Sequence, residues 1–452
     1  MLPVSCRRFA AGLLLSFALA GCATQGGPSA ADAGSNTSAG PDKAVAHDSS
    51  VKPYPFHNPL IATVLGTPAP LAAKFPKQAN LSIRTLEPLV ERDTPPTLRY
   101  ARPLQYLLAA QEHPAPLAFV IAGTGDSALS SNCVLLSRAL YRVGYSVACL
   151  PSPTSVTFML GAAEHPVPGR MKTDVADLYR MMQAVRDDLA DDLDITGYSL
   201  TGWSLGATEA AFLAKLDRER QVFGFQHVLL INPAVNVWAS VERMDDLLER
   251  TLPGGFDALP RFLAQVLGNI QQSAQNSGQP LRFNEDALYQ AYKAGVFNQR
   301  QVGAIIGLAF RLSLANMAFA ADVLTHSDVI VPKNVELGAY DSLGLYFRRS
   351  FRMSFSEYID QLLVPYWNRH GRHVSKAALI SEADLHRIAP FLAHDDDIAV
   401  FTNADDPILA ADEVDFLKTT FGDRARIRPN GGHLGNLAYK KTIHALQDYF
   451  RP

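Results

Sequence analysis

The stretch Ile195-Thr-Gly-Tyr-Ser-Leu-Thr-Gly-Trp-Ser-Leu-Gly-Ala-Thr-Glu-Ala-Ala211 constrains this chain more than any other. An apolar run with β-branched residues ends in Gly-x-Ser-x-Gly at 202–206, and a helix-forming stretch at 207–215 follows at once. That order predicts a buried strand, a very tight turn and a helix, with Ser204 held at the tip in a strained backbone conformation. Glycines at 202 and 206 remove the Cβ atoms that would collide with the neighbouring strand and helix. The free N–H groups that open the helix, together with its dipole, favour a negatively charged oxygen forming beside Ser204. Ser199 competes for the role, but Thr201 stands where a small residue is needed and more strand follows it. Ser204 is therefore the candidate nucleophile.

A parallel sheet is predicted around this turn. Residues 117–122, 145–150 and 227–231 are apolar runs of the kind that strands buried on both faces require. Helical patterns fall at 133–143, at 174–189 and after the turn. Alternating strands and helices place helices on both faces of a parallel sheet. Ahead of it, short strands are predicted at 81–90 and 98–109, and the segment 58–67, in a stretch broken by prolines, as an extended arm.

The alternation stops near Val235. From there to His394 the chain reads as helices at 237–250, 259–274, 284–294, 298–324 and 354–367. Residues 301–324 are apolar enough to suggest a membrane span, but Arg311 and Asn316 inside them favour a buried cap helix. Strand and helix return at 397–401 and 411–420, then at 425–428 and 436–450. The expected organisation is a core in two pieces, 51–235 and 395–452, with a helical cap at 236–394 inserted between them. An insertion of that size is far beyond an ordinary loop.

Residues 1–21 read as a targeting segment rather than structure. Arg7 and Arg8 precede an apolar stretch at 9–20 that is short for a membrane span, and Leu19-Ala-Gly-Cys22 resembles a bacterial lipobox. That resemblance implies cleavage before Cys22 and acylation of its thiol and new amino group. With Ala rather than Asp at position 23, it also implies transfer to the outer membrane of a bacterial cell envelope. Residues 22–50, nearly free of large apolar side chains, are predicted to be a flexible tether. Cys6 leaves with the signal; Cys133 and Cys149 remain in a compartment that permits disulfides, where they either pair or stay buried thiols. A net charge of −3 offers no electrostatic footprint for nucleic acid. No Cys/His spacing indicates a metal site, and His370-Gly-Arg-His373 lacks further ligands. Protein partners are not legible.

A serine hydroxyl is a poor nucleophile unless a base takes its proton and a third group orients that base. After the strand at 397–401 comes Thr402-Asn-Ala-Asp-Asp-Pro-Ile-Leu409, and after the strand at 425–428 comes Pro429-Asn-Gly-Gly-His-Leu-Gly-Asn436. His433, flanked by glycines, has the freedom to reach Ser204. Asp405 and Asp406 both fit the orienting role.

Gly202-Trp-Ser-Leu-Gly206, Asn403-Ala-Asp-Asp-Pro407 and Gly431-Gly-His-Leu-Gly435, in that order, resemble the motifs of the α/β-hydrolase family over about residues 80–235 and 395–452. The resemblance implies an α/β class fold, the α/β-hydrolase fold: a mostly parallel central sheet with helices on both faces, here with an inserted helical cap. It implies Ser204 as nucleophile and His433 as base, and it favours Asp406, directly before Pro-Ile, over Asp405. Many members carry His-Gly after the third strand, where this chain has Ala122-Gly-Thr-Gly125. The glycines still let the Thr124 amide face an oxyanion together with that of Leu205, although the missing histidine leaves the loop's support open. The implied activity is that of a membrane-tethered serine hydrolase, tethered through Cys22. It would cleave the ester, thioester or amide of a small-molecule or lipid-like acyl substrate through an acyl-enzyme, with no metal or organic cofactor. An acyltransferase would use the same residues. A non-catalytic envelope binding or assembly protein is the other alternative, although a scaffold has no physical need for all three.

Overall fold

The continuous apolar runs become the interior of one eight-stranded sheet in the computed structural model of the chain. The structure describes residues 52–75, 81–101, 103–252, 255–262 and 298–451, with 264, 265, 268, 292 and 295 between the last two segments. The predicted signal at 1–21, the tether at 22–50 and Cys22 lie outside the described residues, as do most of the helices expected at 259–274 and 284–294.

In chain order the N-terminal half contributes α1 (Pro59–Leu65), β1 (Leu81–Leu86), β2 (Leu104–Ala109), β3 (Ala115–Ile121), α2 (Ser131–Tyr141), β4 (Ser146–Leu150) and α3 (Val156–Gly161). Then come α4 (Met171–Asp188), β5 (Ile195–Trp203), α5 (Leu205–Arg220) and β6 (Val228–Ile231). A helical stretch follows: α6 (Val237–Glu249), α7 (Gln299–Thr325), α8 (Gly344–Arg352), α9 (Phe355–Tyr358), α10 (Val364–Arg369), α11 (Lys376–Glu382) and α12 (Ala389–His394). The chain closes with β7 (Ile398–Asn403), α13 (Ala411–Phe421), β8 (Ala425–Arg428) and α14 (Lys440–Phe450).

The strand order is β1-β2-β4-β3-β5-β6-β7-β8. The β1–β2 and β2–β4 pairs are antiparallel and all later pairs are parallel. This is the α/β-hydrolase fold. Helices cover both faces: Val175 and Leu178 of α4 and Leu213 of α5 pack on one, while Leu136 of α2 and Leu446 of α14 pack on the other. In such a sheet the carboxyl ends of the parallel strands form the natural binding edge. Ser204 follows β5, Asp406 follows β7 and His433 follows β8, so all three fall at that edge.

Two local expectations need correction. The segment 58–67 is not extended. Asn58 caps α1 by accepting from the Leu60 and Ile61 amides, and Pro59 occupies the first turn, where a missing N–H costs nothing. The stretch 98–109 is not one strand either: Pro96–Ala101 forms a 3-10 turn that carries Leu98 into the core before β2 begins. Cys133 and Cys149, left open by the sequence, form a disulfide between α2 and β4 with a Cα–Cα distance of 5.8 Å.

On length and composition α7 could cross a membrane, yet it is mostly buried within the molecule. Its charge is compensated internally. The fully buried Arg311 donates from Nε to Asp245 Oδ1 of α6 at 2.9 Å, and the second Asp245 oxygen accepts the Phe355 amide at 2.8 Å. The two helices approach at their backbones, since a Cβ on Gly307 would lie 2.6 Å from the Met244 carbonyl oxygen.

Candidate active site

The turn after β5 has the geometry that its sequence demands. Ser204 adopts φ 56° and ψ −126°, a conformation that non-glycine residues rarely hold and that marks stored strain. The strain aims the side chain off the sheet edge. Ser204 stands at the N-cap position of α5 without using its hydroxyl to cap the helix, which leaves Oγ available. Ser199 is fully buried within β5.

His433 connects Ser204 to a carboxylate. Its Nε2 lies 3.0 Å from Ser204 Oγ, and its Nδ1 lies 3.0 Å from Asp406 Oδ2 and 3.2 Å from Oδ1. A carboxylate only accepts, so Nδ1 carries the proton in this arrangement and Nε2 is left to accept from the serine. Asp406 is itself fixed. Asn232 Nδ2 donates to Oδ2 at 2.7 Å and the Ile408 amide donates to Oδ1 at 3.1 Å. All three residues are buried, which keeps the local dielectric low and strengthens these contacts.

Asp405 has a different task. Its Oδ1 accepts the Gly432 amide at 2.9 Å, in the loop that carries the imidazole. Burial pushes its carboxyl above the usual range, only partly offset by bonds from the Gly432 and Gly431 amides. The two neighbouring carboxyls are thereby separated: one faces His433 Nδ1 and the other braces the loop backbone.

Further bracing comes from residues that sequence reasoning missed. Thr63 Oγ1 of α1 accepts the His433 amide at 2.9 Å, and Thr67 Oγ1 donates to the Gly435 carbonyl at 2.9 Å. A Cβ on Gly435 would stand 2.0 Å from the Ala62 carbonyl oxygen, so helix and loop touch backbone to backbone. Asn403 and Asn436 are joined by 2.6 Å and 3.2 Å amide contacts, and Asn403 Nδ2 also donates to the Gly432 carbonyl at 2.7 Å. The Asn58-Pro59 capping pattern was the signal that could have exposed α1. Nothing local announces Asn232, which meets Asp406 only through the pairing of β6 with β7.

The loop after β3 supplies the other half of the site. The Leu205 amide opens α5, and neither it nor the Thr124 amide meets an acceptor among the described residues. Thr124 and Leu205 also line one cavity together. Support that a histidine does not provide here comes from elsewhere. The Gly125 amide donates to Thr154 Oγ1 at 2.7 Å, and the Ser152 amide donates to the Asp126 carbonyl at 3.0 Å. Desolvation pushes the Asp126 carboxyl up to about 7, outweighing the lowering effect of the neighbouring Trp203 indole. A Cβ on Gly123 would lie 3.2 Å from the Trp203 carbonyl oxygen, so the loop packs directly against the residue that precedes Ser204. Among the described residues no group of three or more His, Cys, Asp or Glu is placed to hold a metal ion.

No protein-family model and no curated protein matches the sequence. Solved structures do. An esterase from Pyrobaculum calidifontis aligns at 15% identity over 87% of this chain and 89% of its own, with a TM-score of 0.37. Carboxyl esterase 2 of Tuber melanosporum aligns at 13% identity over 84% and 88%, with a TM-score of 0.41. A structure from a study of two Rhizomucor miehei esterases aligns at 14% identity over 84% of each chain, with a TM-score of 0.40. The likenesses are distant, and neither activity nor substrate transfers from them.

Proposed function

We propose that this chain is a serine hydrolase of the α/β-hydrolase family that cleaves an ester, or a related thioester or amide, through an acyl-enzyme. Support comes above all from one line of hydrogen bonds, Ser204 Oγ to His433 Nε2 and His433 Nδ1 to Asp406. Ser204 Oγ attacks the carbonyl carbon while His433 Nε2 takes its proton, and Asp406 stabilises the imidazolium that forms. The tetrahedral oxyanion faces the amides of Leu205 and Thr124. The intermediate collapses as His433 returns the proton to the leaving alkoxide. Water then attacks the acyl-serine by the same sequence, releasing the acid and restoring the hydroxyl.

The test is labelling of the soluble chain, lacking residues before about Val51, with a fluorophosphonate, read by intact mass. One adduct is expected on wild type and on Ser199→Ala, and none on Ser204→Ala. Absence of adduct from all three would sink the proposal and leave the scaffold reading in its place.

We further propose that Cys22 carries lipid and tethers the enzyme to a bacterial envelope, on the strength of Leu19-Ala-Gly-Cys22. Full-length protein should partition into the detergent phase and take up labelled palmitate, and Cys22→Ser should do neither. Equal palmitate uptake by both proteins would refute the tether.

A further inference from the structure

Thr124 and Leu205, the two residues whose amides face the proposed oxyanion, line a cavity of about 40 Å³. Its walls include Trp238 and Val241 of α6 and Leu314 and Met317 of α7, all buried. We infer that this cavity receives the acyl chain of the substrate, and that it restricts that chain to about two to four carbons. The inference rests on the hydrolase reading above and narrows its substrate class.

Size sets the limit. A water-sized atom needs about 10–15 Å³ of such space, so about three non-hydrogen atoms fit beyond the carbonyl carbon. Acetyl, propionyl and butyryl groups meet that limit. A lipid-like chain, which the sequence left open, does not.

The limit holds only if α7 is a fixed wall rather than a lid, and its packing makes it one. A Cβ on Gly125 would lie 3.0 Å from Ser313 Cβ, so α7 is seated directly on the loop after β3. The backbone approach at Gly307 and the buried Arg311–Asp245 pair lock α7 to α6. Swinging α7 outward with α6 would break its seat on the loop after β3, and swinging it alone would also separate a buried guanidinium from its carboxylate and leave both charges uncompensated.

The experiment is a series of p-nitrophenyl esters from acetate to dodecanoate, in which only the acyl chain varies. Wild type should lose at least about 100-fold in kcat/KM between butyrate and octanoate, given that a single methylene against an apolar wall is worth about 10–200-fold. Met317→Ala, which removes the side-chain atoms beyond Cβ, should move the cut-off up by about two to three carbons. Val241→Leu, which adds one methylene, should depress butyrate relative to acetate. Octanoate turnover equal to acetate in wild type would overturn the inference, as would an unchanged profile in both variants. A chain that takes no fluorophosphonate at Ser204 and turns over none of the esters would instead overturn the hydrolase reading, and the chain-length limit with it.

Discussion

Asp406→Asn will lower kcat/KM on a p-nitrophenyl ester by about 10⁴-fold, while Asp405→Asn will lower it by about tenfold or less. The difference follows from what each carboxyl touches. Asp406 is the acceptor for His433 Nδ1. An asparagine there presents an amide that donates to Nδ1, which drives the imidazole proton onto Nε2, where it can no longer accept from Ser204. The fold would be little disturbed, because the side chains have the same shape, the Ile408 amide keeps an acceptor, and Asn232, which loses Oδ2 as acceptor, still has the Thr402 hydroxyl at 3.4 Å. Among the described residues the Asp405 carboxyl bonds to loop backbone, through the Gly432 amide, and an asparagine oxygen can take over that bond. Steady-state kinetics with matched circular dichroism spectra decide the matter. Equal losses in the two variants, or a larger loss for Asp405→Asn, would mean that the imidazole is oriented differently from the arrangement described here.

That distinction was only partly legible in the sequence. The order Ser204, Asp-Asp, His433 can be read because each motif follows an apolar strand, and period and turn chemistry are local properties. Which carboxyl faces the imidazole depends on how the loop after β7 packs against the loop after β8, and no local pattern encodes that. Asn232 illustrates the same limit, since its amide meets Asp406 only because β6 and β7 are neighbours in the sheet. For α1 the failure had another cause. Prolines at 53, 55 and 59 read as breakers, yet Pro59 sits in the first turn of a helix, where its ring is tolerated. Seven residues are too few for a 3.6-residue period to declare itself, and the burial of Ile61, Ala62 and Leu65 comes from tertiary packing. Arg311 worked in the opposite direction: a charge inside an apolar stretch argued against a membrane span, and the structure pairs it with Asp245 inside the molecule. The support of the loop after β3 was open for a chemical reason. The histidine that the resemblance led one to expect is missing, and the bonds that hold the loop, from the Gly125 amide to Thr154 and from the Ser152 amide to the Asp126 carbonyl, come from other residue types.

Gly206→Ala should cost about 4 kcal/mol or more, enough to remove most of the folded protein when total stability is about 5–15 kcal/mol. A Cβ at 206 would stand 2.3 Å from the Ile121 carbonyl oxygen and 2.6 Å from that of Ala122. Both belong to the backbone at the end of β3, which is hydrogen-bonded on both sides, to β4 and β5, and cannot yield. Gly202→Ala should behave alike, with its Cβ 2.3 Å from the Gly206 carbonyl oxygen. Neither glycine has a positive φ; within the turn that conformation falls to Ser204. The glycines are therefore required for room and not for conformational freedom, and a comparison can separate the two demands. Gly224 has φ 61° with nothing within 4 Å of its missing Cβ, so Gly224→Ala carries only the conformational penalty, about 1–2 kcal/mol. Soluble yield and urea denaturation of the three variants give the ranking. If the two glycines of the turn prove no more sensitive than Gly224, then α5 does not lie against β3 as closely as described, and the nucleophile turn would have to be held at the sheet edge by something other than direct backbone contact.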